Sequence, residues 1–301
     1  IPDFIQSPAS ITQEKFVLIC KSIEEGRFRF NSQGKHRQHK SKRVVDDQIV
    51  LKALGFVLQE AIGVYRQRHH LPETYGWYKK GDCHEALRQV RIYGKDIPWF
   101  IKGSLGPRDL LHSMNRRALE MALKRCIDDR VFTSFLFQGL KAVRKEPVYT
   151  VVEHFFAQIL TQMYWTPMDE WFQTMIIPSL HEGVRRTRNP VYTQMLRAKK
   201  RVTDHSIRPT VSQGYKRCYY TRYHNEFLLG VIASKRDCSV VIETFRQRMA
   251  LIYGKAALFH ANVEIFDGYK KKVPFLGYII HSTRPRRMKI AYNSSGRLVR
   301  R

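Results

Sequence analysis

The segment Tyr219-Tyr220-Thr221-Arg222-Tyr223-His224-Asn225-Glu226-Phe227-Leu228-Leu229-Gly230 most restricts the architecture open to this chain. Strand-forming residues run at about 216–223 and again at about 226–232, so the intervening pair must close a tight antiparallel hairpin. Further strand-like runs fall at about 97–105, where Gly106-Pro107 stops the strand, and near 256–266 and 273–281.

Between the strands the apolar spacing is helical. Residues 12–25 place Phe16, Ile19, Cys20 and Ile23 on one face. From Asp46 to about Arg66 the stripe is Ile49, Val50, Ala53, Leu54, Val57, Leu58 and Ile62. Asp82 with Glu85 three residues on reads as the cap of a helix through about Tyr93. Helices are expected at about 109–128 and 130–143, with Asp128-Asp129 as a turn or cap between them. A buried helix is expected from Val151 to Ile177, with an interruption at Pro167. A last helix spans about 235–252. The fold class is therefore α+β.

Charge narrows the partners. Fifty-three Lys and Arg against 26 Asp and Glu give +27 and a pI near 10.1. Self-repulsion on this scale calls for a polyanion, of which nucleic acid is the usual one. The excess gathers in three zones. One is the arm 27–43, with Arg27, Arg29, Lys35, Arg37, Lys40, Lys42 and Arg43. A second is 184–217, with Arg185, Arg186, Arg188, Lys199, Lys200 and Arg201 among ten cations and one acid, Asp204. The third is the tail 284–301, with Arg286 and Arg287. Lys79 and Lys80 lie in the loop 75–81. Phosphate contacts from these side chains would bind without reading sequence. Nearby rings could stack on unpaired bases. For Tyr219, Phe227 and Phe275 a core position is the better reading, whereas Trp77, Tyr78 and Tyr192 remain open between core and RNA. Five scattered cysteines without a C-x-x-C read as reduced thiols, and the histidines lack the companions of a zinc site. No metal or other cofactor is expected. No apolar run is expected to span a membrane, and no membrane partner is expected.

Several blocks, in order, resemble the fingers and palm of group II intron reverse transcriptases/maturases. Asp47-Gln48-Ile49-Val50-Leu51-Lys52-Ala53-Leu54 resembles that family's D-x-I-V-x-x-A-L helix. Tyr75 to Leu87 resembles H-G-F-R-P-G-R-S-C-H-x-A-L, and Trp99 to Leu105 resembles W-F-I-E-G-D-I. Arg222 to Leu228 resembles R-Y-A-D-D-F-L, and Phe275 to Ile280 resembles an F-L-G-Y-x-I strand. The resemblance implies a right-hand fold: helical fingers with a basic arm at 1–95, a palm with an antiparallel sheet at 96–283 carrying a basic insertion at about 184–217, and a basic tail at 284–301. Domain X would follow near where this sequence stops, so thumb/domain X is expected to be absent or truncated.

In that family the strand and hairpin aspartates hold catalytic Mg²⁺. Here those positions are Ser104, Asn225 and Glu226, and two-metal phosphoryl transfer needs carboxylates. Asp109 reads as a helix-start residue rather than a rescue ligand. The G-T-P-Q-G, R-P-L-G-I-P and L-N-x-x-K-T blocks fall at 149–153, 38–43 and 259–264 and have also lost their pattern. No Walker loop, G-x-S-x-G or H-E-x-x-H motif offers another chemistry. The expectation is a non-enzymatic RNA-binding protein. We expect a structural subunit of an organellar ribonucleoprotein, foremost a mitochondrial ribosome, with protein neighbours and a mitochondrial or plastid address. The alternative is a group II intron splicing cofactor without polymerase activity. A working polymerase built on Glu226 is the third reading. The RNA would be rRNA or intron RNA.

Overall fold

The computed structural model describes residues 13–30, 40–72, 74–76, 83–94, 96–106, 113–144, 151–198, 210–211, 214–259, 261–282, 290–292 and 298–300. Among these, α1 is Gln13–Glu24, α2 Lys40–Arg68, β1 Thr74–Tyr75, α3 Cys83–Tyr93 and β2 Trp99–Ser104. Then come α4 Arg116–Cys126, α5 Arg130–Val143, α6 Val151–Trp171, β3 Thr187–Arg188, α7 Pro190–Arg197 and β4 Thr210–Val211. The hairpin strands are β5 Arg217–Tyr223 and β6 Glu226–Ile232, followed by α8 Lys235–Tyr253 and β7 Val263–Asp267. Three short elements, β8 Val273–Phe275, β9 Tyr278–Ile280 and β10 Ile290–Tyr292, precede β11 Leu298–Arg300.

The hairpin forms where the residue pattern requires it, with Tyr223 opposite Glu226 and Arg217 opposite Ile232. It is the middle of a five-stranded sheet ordered β1-β5-β6-β2-β7. All neighbours are antiparallel except β1, which runs parallel to β5, so the expected antiparallel sheet is a mixed one. Alternation sends the two faces into different cores. Ile101, Phe227, Leu229 and Val231 join α6 and Phe245 and Met249 of α8 in the larger core. Phe100, Leu228 and Ile232 meet Val90 of α3 with Val273 and Phe275 of β8 in the smaller.

α6 runs through the larger core, its Phe156, Ile159, Leu160, Met163 and Met168 fully buried. Pro167 does not interrupt it. Packing within the larger core holds the helix through the one hydrogen bond that proline removes. The irregularity comes later, as a π-turn at Phe172–Ile176. α2 packs on α6 through Val50, Leu51, Leu54, Leu58 and Ile62, while Ala53 and Val57 face solvent, so the buried stripe is rotated from its expected position. By length and composition Val45–Arg68 is apolar enough to cross a membrane, contrary to expectation. α1 also departs: Ile19 is its buried residue, while Phe16 is 51% exposed.

Local polar chemistry explains the other shifts. α4 starts after Asn115, whose side chain accepts from the amides of Arg117 and Ala118, and the start expected near residue 109 lies outside the described residues. Asp129 caps α5 in the same way. The stretch from residue 256 is a 3₁₀ segment, Lys255–Phe259, before β7 begins at Val263. Phe275 to Ile280 is not one strand. Leu276 (φ 52°) and Gly277 (φ 79°) turn it into the β8–β9 hairpin. All five cysteines are free, and burial pushes the Cys218 and Cys238 thiols up to about 12.

Candidate functional site

The hairpin tip is fixed from below. Arg222 and Asp169 are both 0% exposed, and Arg222 grips the carboxylate with two bonds, Nε to Oδ1 at 2.7 Å and Nη2 to Oδ2 at 2.6 Å. The Tyr220 hydroxyl donates to Asp169 Oδ1 at 2.7 Å, and Arg66 of α2 donates to Oδ2 at 2.7 Å. Burial alone would raise the Asp169 pKa, but Arg222 and Arg66 outweigh it and hold the carboxyl below its usual range. Arg222 then donates to Gln162 Oε1 at 2.8 Å and to the His224 carbonyl at 2.5 Å. One buried acid of α6 thus ties α2, α6 and the hairpin turn together. The sequence held a signal for it, an aspartate near the end of a largely apolar helical run.

The turn itself strains one residue. His224 adopts φ 51° and donates its amide to the Tyr75 carbonyl at 3.1 Å. Gly76 (φ 83°) lies so close that an added Cβ would stand 2.7 Å from the His224 ring.

At the tip, register brings together the three residues singled out in the sequence, Ser104, Asn225 and Glu226. Ser104 is directly opposite Glu226, with Asn225 in the turn beside them. Ser104 Oγ donates to the Gly106 carbonyl at 2.9 Å, and Asn225 Nδ2 donates to the same oxygen at 2.7 Å. The Leu105 amide returns a bond to the Asn225 carbonyl at 2.7 Å. Asn225 therefore stitches the turn to the end of β2, Ser104 shares the same acceptor, and Glu226 is the acid among the three. Among the described residues no three His, Cys, Asp or Glu side chains gather as a metal-holding group. Asp109 lies outside the described residues.

The predicted phosphate contacts are only partly in view. Arg27 and Arg29 are exposed, Arg27 pairing with Glu25 and Arg29 folding onto the carbonyls of Gly26 and Phe28. Arg185 is exposed. Arg186 instead pairs with Asp96, which also accepts from the Tyr269 hydroxyl, so its first role is to brace the fold. Lys40, Lys42 and Arg43 lie in the first turns of α2, and Arg188 in β3. Lys35, Arg37, Lys79, Lys80, Lys199, Lys200, Arg201, Arg286 and Arg287 lie outside the described residues, as do Trp77 and Tyr78. Phe28 and Phe30 pack edge-on at 5.2 Å and both meet Phe135, so these rings are structural. The exposed run Lys270-Lys271-Lys272, in the turn after β7, escaped the sequence reading despite its plain charge signal.

No protein-family model matches the chain. Two curated proteins of Saccharomyces cerevisiae are similar to it. The COX1/OXI3 intron 1 protein is 23% identical over 266 residues, covering 80% of this chain and 30% of the relative. The COX1/OXI3 intron 2 protein is 25% identical over 242 residues, covering 71% of this chain and 28% of the relative. The chain thus spans under a third of the length of the curated relatives it matches. Its similarity lies with proteins named for introns, in line with the resemblance carried by its motifs.

Proposed function

We propose that this chain is a non-polymerising RNA-binding protein with reverse-transcriptase-like fingers and palm, and that it serves intron RNA as a maturase-type splicing cofactor in the mitochondrion. The observation that carries the reading is the hairpin tip, where Ser104 and Asn225 spend their polar groups on the Gly106 carbonyl. A two-metal centre needs several carboxylates at such a place, and one glutamate does not replace them. The scaffold below the tip is held by the Arg222–Asp169 grip, so polymerase chemistry can be lost without loss of the fold. The net charge of +27 supplies the affinity for RNA.

The relatives, both named for COX1/OXI3 introns, support intron RNA as the ligand. They lend nothing to the ribosomal-subunit expectation. Crosslinking and sequencing of RNA bound in native mitochondria decides between the two. Intron reads are expected; reads confined to rRNA would overturn the splicing reading and favour a structural subunit. Primer extension with Mg²⁺ or Mn²⁺ should give no product. Product that disappears in Glu226→Ala would overturn the non-polymerising reading.

A further inference from the structure

β1 pairs with only Arg222 and Tyr223, so the outer edge of β5 from Cys218 to Thr221 has no strand partner among the described residues. A cleft of about 280 Å³ opens there, lined by Tyr75, Gln89, Tyr93, Tyr219 and Thr221 among others. We propose that this cleft takes one unpaired nucleobase of a bound RNA. The inference rests on the RNA-binding reading above and adds a specific subsite to it.

Size comes first. The volume lies at the low end for ligand pockets and is enough for a single planar heterocycle. The walls match that shape. Tyr93 and Tyr219 are stacked face to face, their centroids 4.8 Å apart and their planes within 2° of parallel. The Tyr93 hydroxyl is anchored to Thr221 Oγ1 at 2.6 Å, which fixes the pair as a rigid platform. A base laid on such a platform gains stacking energy whichever base it is.

Polarity comes second. The Gln89 side-chain amide lines the cleft and makes no hydrogen bond among the described residues. It offers a donor and an acceptor to the edge of a base. Charge comes third. Arg217 lies 4.2 Å over the Tyr215 ring and is bonded to the backbone carbonyls of Glu182, Gly183 and Lys216, and it pairs with no carboxylate among the described residues. Arg186 lies 5.7 Å from the centroid of the same ring. Both guanidiniums sit close enough to Tyr219 to act on its hydroxyl electrostatically. Arg186 is already paired with Asp96, so Arg217 is the cation that would meet the phosphate of a nucleotide whose base enters the cleft. The cleft is also on the tip side of the sheet: Tyr219, Thr221 and Tyr223 alternate onto the face that presents Ser104 and Glu226.

The test compares two RNAs of nearly equal phosphate count, a single-stranded 24-mer and a blunt 12-base-pair duplex, by fluorescence anisotropy. Tyr219→Leu should weaken single-stranded binding about ten-fold, the loss of roughly one stacked base, and leave duplex binding unchanged. Tyr219→Phe keeps the ring and should bind as wild type. Gln89→Ala, on a half-buried side chain without a hydrogen-bond partner among the described residues, should alter the ranking among A, C, G and U homopolymers. Tyr219→Leu with wild-type affinity for both RNAs would overturn the subsite while leaving RNA binding standing, and so would equal losses on both. Wild-type protein that binds neither RNA would overturn the RNA-binding reading as well.

Discussion

At the scale of single residues, Asp169 decides more than any side chain at the tip. Asp169→Asn would leave Arg222 buried at 0% exposure without its counter-charge. The expected cost is about 3–5 kcal/mol, read as a fall in the urea midpoint. The same carboxylate sets an acid limb. Its folded pKa is below the unfolded value of about 3.9, so its stabilisation is present above that pH and is lost as pH falls through the folded value. Wild-type protein should therefore lose stability from about pH 4 downward, more steeply than Asp169→Asn over the same range. Asn225→Asp tests the neutralised tip. It removes the donor held by the Gly106 carbonyl and sets a carboxylate against that oxygen, for a loss of about 1–3 kcal/mol. Primer extension should stay absent in this variant. A stable Asn225→Asp protein that extends primers would mean the metal site is one substitution from working.

At the scale of elements, β2 and β6 are packed too closely for change. Gly103 faces the Phe227 ring and Val263, and an added Cβ would land within the van der Waals radius of that ring. Gly103→Ala should cost about 1–3 kcal/mol in the urea midpoint. A neutral result would mean that Phe227 can move away from Phe172 and Phe245, which lie 5.4 and 5.3 Å from it. The elements that were legible in the sequence are those whose pattern is local. The hairpin strands were expected at 216–223 and 226–232 and lie at 217–223 and 226–232, and α8 was expected at 235–252 and lies at 235–253. What escaped depends on partners distant in the chain. The parallel pairing of two residues in β1, the turn at Leu276-Gly277 and the survival of α6 through Pro167 are settled by tertiary contacts, and no local spacing encodes them. The candidate site divides the same way. Ser104, Asn225 and Glu226 were found by their place in motifs, whereas the stacked Tyr93–Tyr219 platform joins residues 126 positions apart, from 219 less 93.

At the scale of the whole molecule, the acids of the described residues are largely committed to internal partners. Asp169 takes Arg66 and Arg222, Asp96 takes Arg186, Asp46 takes Lys15 and Glu170 takes Arg125. The surplus behind +27 is consequently left to the surface, where it stabilises the fold only when a polyanion is present. Affinity for single-stranded RNA should then fall steeply with salt. The logarithmic slope scales as about −0.7 per neutralised phosphate, so six contacts would give roughly −4. Charge reversal separates binding cations from bracing ones. Arg186→Glu would place a carboxylate against Asp96 and should unfold part of the sheet's end before it reports on RNA. Lys270→Glu, Lys271→Glu and Lys272→Glu together change an exposed turn and should leave the thermal midpoint in place. If that turn meets phosphate, the salt slope of the triple variant should shrink by about 2, three contacts' worth. A slope identical to wild type would turn this end of the sheet away from RNA and leave the phosphate grip to the arm, the 184–217 zone and the tail.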